Sequence, residues 1–212
     1  MSPSQMIRFA RRSLLAVALA GVAGLAGAAP ATNYHVVIDT SGFSGGGFLD
    51  FAFIPGSSAA SAANATLSHF SGAFGERISG EGELSGALQS VVYFGNGSGY
   101  NDLFHSVTLG GKFSFDIAFG GDFLTSAGNT GSTFGVGLLN DAGYLGNPNG
   151  NVVQFELMPA FNGNPASVGA TGYAGVGLVA AVPEPSSWLM LGAGLAVVGF
   201  GARRRSAAAL AA

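Results

Sequence analysis

The stretch Lys112-Phe-Ser-Phe-Asp-Ile-Ala-Phe119 decides the fold, because large apolar residues alternate in it with small or polar ones. A period of two sends alternate side chains to opposite faces of a strand. One face then holds Phe113, Phe115, Ile117 and Phe119, and the other holds Ser114, Asp116 and Ala118. Gly110 and Gly111 come directly before the stretch and are typical of a tight hairpin turn.

Similar stretches recur on both sides of this strand, separated by turns rich in Gly and Asn, and no amphipathic helix lies between them. Strands are predicted at 34–39, 48–54, 64–70, 78–88, 90–94, 102–109, 112–119, 133–139, 152–157 and 173–179. The fold class that this pattern predicts is mainly β, an antiparallel β-sandwich of jelly-roll type. A closed barrel is the alternative.

The alternation also predicts which side chains face the core. In the first two strands these are Tyr34, Val36, Ile38, Leu49, Phe51 and Phe53, with Asp50 facing outward. In the strand at 64–70, His69 shares a face with Ala65 and Leu67, whereas Phe70 lies on the other face. The stretch 78–88 has a polar face and is predicted to be a single edge or surface strand.

Composition restricts the function of the central part of the chain, residues 29–181. Ten acidic residues and only two basic ones, Arg77 and Lys112, give this body a net charge of −8. No basic face exists to neutralise phosphates, so the sequence excludes nucleic acid and anionic membrane surfaces as partners. The chain has no Cys, which excludes Cys catalysis and Cys metal sites. The body holds 15 of the 17 phenylalanines, enough for a real core.

The first 28 residues have the pattern of a secretory signal peptide. Three arginines and no acid lie before Ser13, and residues 14–25 are apolar. Ala26 and Ala28 satisfy the small-residue rule for signal peptidase, and cleavage after Ala28 leaves Ala29 as the new N-terminus. A retained N-terminal anchor is the alternative.

Residues 182–212 have the pattern of a membrane anchor. Val182-Pro183-Glu184-Pro185 precedes an uncharged apolar run at 188–202, and Arg203, Arg204 and Arg205 follow it. As a helix this run spans about 22 Å, short of the roughly 30 Å hydrocarbon core, and snorkelling arginines can make up the difference. A transmembrane helix at 187–202 with a cytoplasmic arginine cluster is predicted, because positive charge is retained inside. A buried core helix is the alternative.

Pro183-Glu184-Pro185, the apolar helix and the arginine cluster together resemble the PEP-CTERM sorting signal of Gram-negative bacteria. The resemblance implies processing by an exosortase, a membrane protease that cuts near the motif, in a host that produces exopolysaccharide and forms biofilm. The body resembles a group of PEP-CTERM proteins without assigned activity. The resembling segments are 34–40, 47–53, 113–117 and 155–157.

Few residues of the body are candidates for a metal site or a catalytic site. His35, His69 and His105 fall on three separate strands with no short-range partner, so no metal site is predicted. Glu81 and Glu83 lie two apart and hence on one strand face, which suits a solvated edge or, alternatively, a glycosidase acid and base.

The segment 141–151 is an oxygen-rich loop with one carboxylate, Asp141. A plain hairpin loop is favoured over a calcium site, because tight calcium sites use several carboxylates. No catalytic, cofactor-binding or metal-ligating residue and no cofactor is therefore assigned, with calcium as the alternative.

The expected function is that of a non-enzymatic exported protein with a structural or adhesive role in the exopolysaccharide or biofilm matrix. The expected partners are signal peptidase, exosortase, the inner membrane transiently, and exopolysaccharide. It is expected at the cell surface or outside the cell after a membrane-anchored stage. One alternative is a carbohydrate-binding module that uses Tyr93, Tyr100, Tyr144 and Tyr173. A polysaccharide-active enzyme is a third hypothesis, to be judged by the positions of Glu81, Glu83, Asp102 and Glu156.

Overall fold

The computed structural model describes residues 32–181 together with Gly192 and Gly194, which are helical. The predictions for the signal peptide and its cleavage residues, and for the sorting motif at 182–185, fall outside the described residues. So do the arginine cluster and, apart from those two glycines, the transmembrane helix at 187–202. Within the part of the chain that is described, no helix is long and apolar enough to cross a membrane.

The described residues form thirteen strands and one 3-10 turn, and all neighbouring strands pair antiparallel. The strands are β1 (Asn33–Asp39), β2 (Gly45–Pro55), β3 (Asn64–Ser71), β4 (Phe74–Glu81), β5 (Leu84–Gly86), β6 (Val91–Gly95), β7 (Asn101–Leu109), β8 (Lys112–Gly120), β9 (Ser132–Asn140), β10 (Gly143–Tyr144), β11 (Asn151–Met158), β12 (Ser167–Gly172) and β13 (Gly177–Ala181); the 3-10 turn is Asp122–Leu124.

These strands build two sheets. Sheet 1 has the order β13-β1-β8-β3-β6-β5, and sheet 2 has the order β12-β11-β9-β2-β7-β4, with β10 paired to β9. The stretch 112–119 is therefore central in sheet 1, where Asp116 lies opposite His35 of β1 and Ser68 of β3. The prediction of a mainly β, antiparallel fold is confirmed, and its jelly-roll type stays a prediction.

The core lies between the inner faces of the two sheets. Phe51 of sheet 2 and Phe115 of sheet 1 are both fully buried, and their rings meet edge to face at 5.5 Å. Phe94 and Phe134 make the same kind of contact at 5.5 Å further along. Such edge-to-face pairs stabilise a core beyond the area that they bury. The core faces predicted for β1, β2 and β8 are confirmed.

The single strand predicted at 78–88 is wrong. β4 ends at Glu81 as the edge of sheet 2, and β5 begins at Leu84 as the edge of sheet 1. The chain changes sheet at Gly82, whose φ of 76° is a conformation that favours glycine. The backbone N–H of Glu83 then donates to Oδ1 of Asn101 at 2.6 Å, which holds the crossing in place.

The faces predicted at the end of β3 are also wrong. The register between β3 and β8 shifts between Ser68 and Ser71, and His69 has a φ of 54°. A bulge of this kind re-aims the following side chains. His69 is therefore exposed, whereas Phe70 packs against the core and stacks on Phe115 at 5.9 Å.

The last two strands differ from the prediction as well. The predicted strand at 173–179 is shifted, since β13 covers Gly177–Ala181 and pairs with β1. β12 (Ser167–Gly172) was not predicted and forms the edge of sheet 2 beside β11.

Candidate functional site

The outer face of sheet 2 brings two carboxyl groups together. In the register of β2 with β7, Asp50 lies opposite Phe104 and Ala52 lies opposite Asp102. Asp50 and Asp102 are therefore diagonal neighbours on the same face, a spacing of roughly 7 Å between Cα atoms. On the other side of β2, Asp50 lies opposite Gly137 of β9, which adds no side chain to the face.

Asp50 is the chemically unusual member of this pair. It is half-buried, and its Oδ1 atom is buried with no hydrogen-bond partner among the described residues. Burial raises the pKa of Asp50 to about 6, and the negative charge of Asp102 adds to the shift. A carboxyl group with this pKa can donate a proton or a hydrogen bond near neutral pH.

Asp102 is held in position by the edge strand. It is buried, and its Oδ1 atom accepts a hydrogen bond of 3.1 Å from the backbone N–H of Glu81. Next to it, the buried Asn101 donates to the carbonyl oxygens of Phe53 at 2.9 Å and of Ser98 at 3.0 Å. The start of β7 is thus fixed, and with it the direction of the Asp102 carboxylate.

Aromatic rings surround the two carboxyl groups. Phe48 and Phe104 are half-buried and stack with their ring centres 4.9 Å apart and their planes at 18°. Tyr144 is 50% exposed, and its Cε1 atom and the Cβ of Asp50 each lie 3.5 Å from the position that a Cβ on Gly137 would take.

Tyr100 is 46% exposed and completes the set. Burial raises the pKa of Tyr100, and the charges of Asp50 and Asp102 raise it further. We call these six residues the aromatic–carboxylate face: Phe48, Asp50, Tyr100, Asp102, Phe104 and Tyr144.

The chemistry of this face suits a polyhydroxylated ligand. Flat rings offer apolar surface to the C–H faces of a sugar, and carboxyl and phenol groups exchange hydrogen bonds with its hydroxyls. An anionic ligand is disfavoured, because Asp50 and Asp102 lie close enough on this face for the charge of Asp102 to act on Asp50, and both are acidic.

The structure brings together two of the four tyrosines proposed from the sequence, Tyr100 and Tyr144. Tyr93 is also exposed, but it lies on β6 in sheet 1. Tyr173 is 41% exposed and follows β12 in the turn that leads to β13. Asp50 was not among the candidate site residues, although its position within a Phe-rich strand marked it as outward-facing.

The carboxylate pair considered from the sequence, Glu81 and Glu83, does not form. Glu83 follows the change of sheet at Gly82, and its Oε2 atom accepts from the backbone N–H of Gly97 at 2.8 Å. Glu156 lies on β11, where its Oε2 accepts from the Thr133 hydroxyl at 3.1 Å. The carboxyl groups that meet are Asp50 and Asp102, flanked by Glu81.

Two of the three histidines, which have no short-range partner in the sequence, meet on one carboxylate in the structure. Nδ1 of His35 lies 2.6 Å from Oδ1 of Asp116, and Nδ1 of His69 lies 2.8 Å from Oδ2 of the same carboxylate. His105 is buried apart from them, and burial lowers its pKa. Among the described residues, no group of three or more His, Asp or Glu side chains is arranged to hold a metal ion.

The loop at 141–151 closes on itself. β10 pairs with the end of β9, as in a hairpin. The Asn147 side chain donates to the Asn151 carbonyl at 2.7 Å and accepts from the backbone N–H of Asn149 at 3.0 Å. This amide is used within the turn, and calcium binding stays an alternative.

Comparison with known proteins bears on the end of the chain rather than on this face. Residues 181–205 match the family model of the PEP-CTERM protein-sorting motif, which includes the predicted Val182–Pro185 and Arg203–Arg205. No curated protein and no solved structure matches the chain significantly. The chain is therefore a protein that carries a PEP-CTERM sorting motif, which implies export and display at the cell surface through an exosortase.

Proposed function

We propose that the body of this exported protein binds polysaccharide of the extracellular matrix through the aromatic–carboxylate face, and so has an adhesive role at the cell surface. The observation that carries this proposal is the Phe48–Phe104 stack at 4.9 Å, with exposed Tyr100 and Tyr144 beside it. Exposed rings gathered on one sheet face are typical of binding surfaces, because an isolated protein gains little by exposing them.

Charge narrows the class of polysaccharide. The body has a net charge of −8, and the face itself carries Asp50 and Asp102 without a basic residue among its six members. Polysaccharides that bear uronate, phosphate or sulfate groups are repelled by such a surface. The expected ligand is therefore a neutral polysaccharide or one that bears amino groups.

A glycan array probed with the body, residues 29–181, tests this proposal. Binding is expected to neutral or amino-bearing glycans. It should weaken about 2- to 12-fold in Tyr144→Ala, if one sugar–ring contact contributes as much as an aromatic pair, roughly 0.5–1.5 kcal/mol. Tyr173→Ala is the matched control, because Tyr173 is similarly exposed but lies outside the face. Equal losses in the two variants, or binding to anionic glycans alone, would contradict the proposal.

A second candidate function is glycoside hydrolysis at the same face, and the raised pKa of Asp50 beside Asp102 favours it. In this scheme Asp50 gives its proton to the glycosidic oxygen as the C–O bond breaks and the leaving sugar departs as an alcohol. Asp102 then either takes a proton from the water that attacks the anomeric carbon, or attacks that carbon itself to form an ester that water hydrolyses. Release of reducing ends from the bound polysaccharide should then be lost in Asp50→Asn and in Asp102→Asn but kept in Glu156→Gln. Binding without any release of reducing ends would contradict hydrolysis and support the adhesive function.

A further inference from the structure

A cleft of about 450 Å³ lies at the end of the two sheets where β2 stops and β7 begins. One wall is formed by the segment 55–62, which leads from β2 to β3, and the other by the segment 96–99, which leads from β6 to β7. None of the six residues of the aromatic–carboxylate face lines it. Its volume falls within the range of sites that bind small ligands.

Hydrogen bonds of one buried side chain hold the two walls together. Asn96 is buried, and its side-chain oxygen accepts a hydrogen bond from the backbone N–H of Ala63 at 2.8 Å. Its side-chain nitrogen donates to the carbonyl oxygen of Ser61 and to the hydroxyl of Ser132, both at 2.9 Å. The segment 96–99 is thus tied to the segment 55–62 and to β9. A pre-formed cleft of this kind lowers the entropy cost of binding a ligand.

The chemistry of the cleft is neutral and polar. Among the described residues, those that line it are Ser, Ala, Gly, Pro and Asn, so no lining side chain carries a charge or an aromatic ring. Ser58 and Ser98 both line it, and the hydroxyl of neither has a hydrogen-bond partner among the described residues. A hydroxyl both donates and accepts, which suits the hydroxyl groups of a neutral sugar.

The cleft continues the aromatic–carboxylate face along β2 and β7. In the register of these two strands, Phe53 lies opposite Asn101. Tyr100, a member of the face, comes directly before Asn101, and Gly99 comes before Tyr100 in the wall of the cleft. On β2, Pro55 lines the cleft two residues after Phe53. One extended ligand that lies along the face therefore reaches the cleft at this end of the strands.

We infer that the cleft binds a neutral sugar unit of the same polysaccharide, so that the binding site extends from the aromatic–carboxylate face into the cleft. The inference rests on the proposed function for the class of ligand. The two parts recognise the chain differently, the face through aromatic rings and the cleft through the hydroxyls of Ser58 and Ser98. Affinity should therefore rise with the number of sugar units until the chain fills both parts.

Ser58→Ala and Ser98→Ala test the inference on the full-length protein, kept in a sugar-free detergent. The probes are neutral oligosaccharides of increasing length built from glucose, mannose or N-acetylglucosamine. Each variant should bind the longest oligomers about 2- to 12-fold more weakly, which corresponds to one lost hydrogen bond. The melting temperature should not change, because neither hydroxyl bonds to another described residue. Ser44→Ala is the matched control, since Ser44 is exposed and precedes the opposite end of β2.

A titration of the unaltered protein with the same oligosaccharides separates this inference from the proposed function. The backbone amide resonances of 57–60 and 96–99 should shift together with those of 100–104. Shifts at 100–104 alone, or unchanged affinity in both serine variants, would overturn the inference and leave the proposed function standing. Shifts at the cleft alone would support the cleft as a sugar site and contradict binding at the face. No shift in either region would overturn both.

Discussion

Asp50 lies between Leu49 and Phe51 on β2, and those two neighbours face the core while Asp50 faces outward. Its direct neighbours on the outer face are Phe104 on one side and Gly137 on the other, and neither carries a charge. This explains why burial comes first among the causes of its raised pKa.

Because the pKa of Asp50 is raised in the folded state, the contribution of Asp50 to the stability of the protein decreases with rising pH. In the folded protein Asp50 holds its proton up to about pH 6, whereas in the unfolded chain it loses it near pH 4. The folded state binds more protons between these values, so the contribution of Asp50 to stability falls as pH rises from about 4 to 6. Asp50→Asn should then be more stable than the natural protein by about 1–2 kcal/mol at pH 7, allowing for partial exposure.

Urea unfolding of both proteins at several pH values measures this difference. It should shrink as pH falls from 6 to 4, where only the folded state holds the proton, and approach zero below pH 4, where Asp50 is protonated in both states. Asp141→Asn, at an exposed loop position, is the control and should show no such trend. A difference between Asp50→Asn and the natural protein that stays constant over the range would contradict the assignment.

At the scale of single residues, the sequence predicted which sheet face a side chain lies on more reliably than which side chains lie beside it. The alternation in β2 correctly sent Asp50 outward, but its pairing with Phe104 and Gly137 depends on strand register, which no local pattern specifies. The meeting of His35 and His69 was missed for a further reason. Nothing in the sequence 64–70 marks His69 as a residue with positive φ, and without that bulge it would face the core.

At the scale of secondary-structure elements, the change of sheet between β4 and β5 was missed because polar and apolar residues alternate through it. Polar side chains at every second position suggested one strand, and of the three glycines in the stretch, Gly80, Gly82 and Gly86, the sequence does not show which one marks the break. The strand β12 was missed because only Val168 among its residues is large and apolar, so it shows no alternation. This segment forms a strand because it pairs with β11, and not because of an alternating pattern in its own sequence.

Substitution of Gly82 tests how strictly this crossing needs glycine. A Cβ there would lie 2.5 Å from Oδ1 of Asn101 and would overlap the carbonyl oxygen of Tyr100, in addition to the cost of a φ of 76°. Gly82→Ala should lower the free energy of unfolding by about 2–4 kcal/mol. Gly175→Ala is the matched control, because Gly175 has a φ of 81° but no atom within 4 Å of the added Cβ.

The control should cost only about 1–2 kcal/mol, the conformational part of the penalty. Denaturant unfolding of the two variants gives the comparison directly. Because Gly82 adjoins Asn101 and Tyr100, the Gly82 variant should also weaken glycan binding, which the Gly175 variant should leave unchanged. Equal loss of stability in both would show that contacts at the crossing contribute nothing.

At the scale of the whole molecule, the last described strand ends where the sorting motif begins. β13 ends at Ala181, paired with Tyr34 near the start of β1, and the sorting motif begins at 181. The described strands thus end at Ala181, before the Pro183–Pro185 segment. Removal of the segment after the motif would leave both sheets and the aromatic–carboxylate face in place.

This separation leads to a prediction about processing. The sequence Pro183-Glu184-Pro185 predicts an extended segment, because proline disfavours a helix at its own position and at the residue before it, and a protease cleft accepts an extended segment. Deletion of Pro183–Pro185 should therefore leave the protein unprocessed in the membrane fraction, whereas the natural protein should yield a mature form without Trp188–Ala212. Intact-mass measurement of the surface or secreted protein gives the cut position.

Deletion of Asn147–Asn149, a similar three-residue loss within the 141–151 loop, is the control and should still be processed. Because Pro183–Pro185 lie beyond the last described strand, their deletion should leave the melting temperature of the body unchanged. Trapping with an unchanged melting temperature then reports on recognition of the motif and not on misfolding. Normal release of the Pro183–Pro185 deletion, or a mature mass that still includes Arg203–Arg205, would show that the motif does not direct cleavage in this protein.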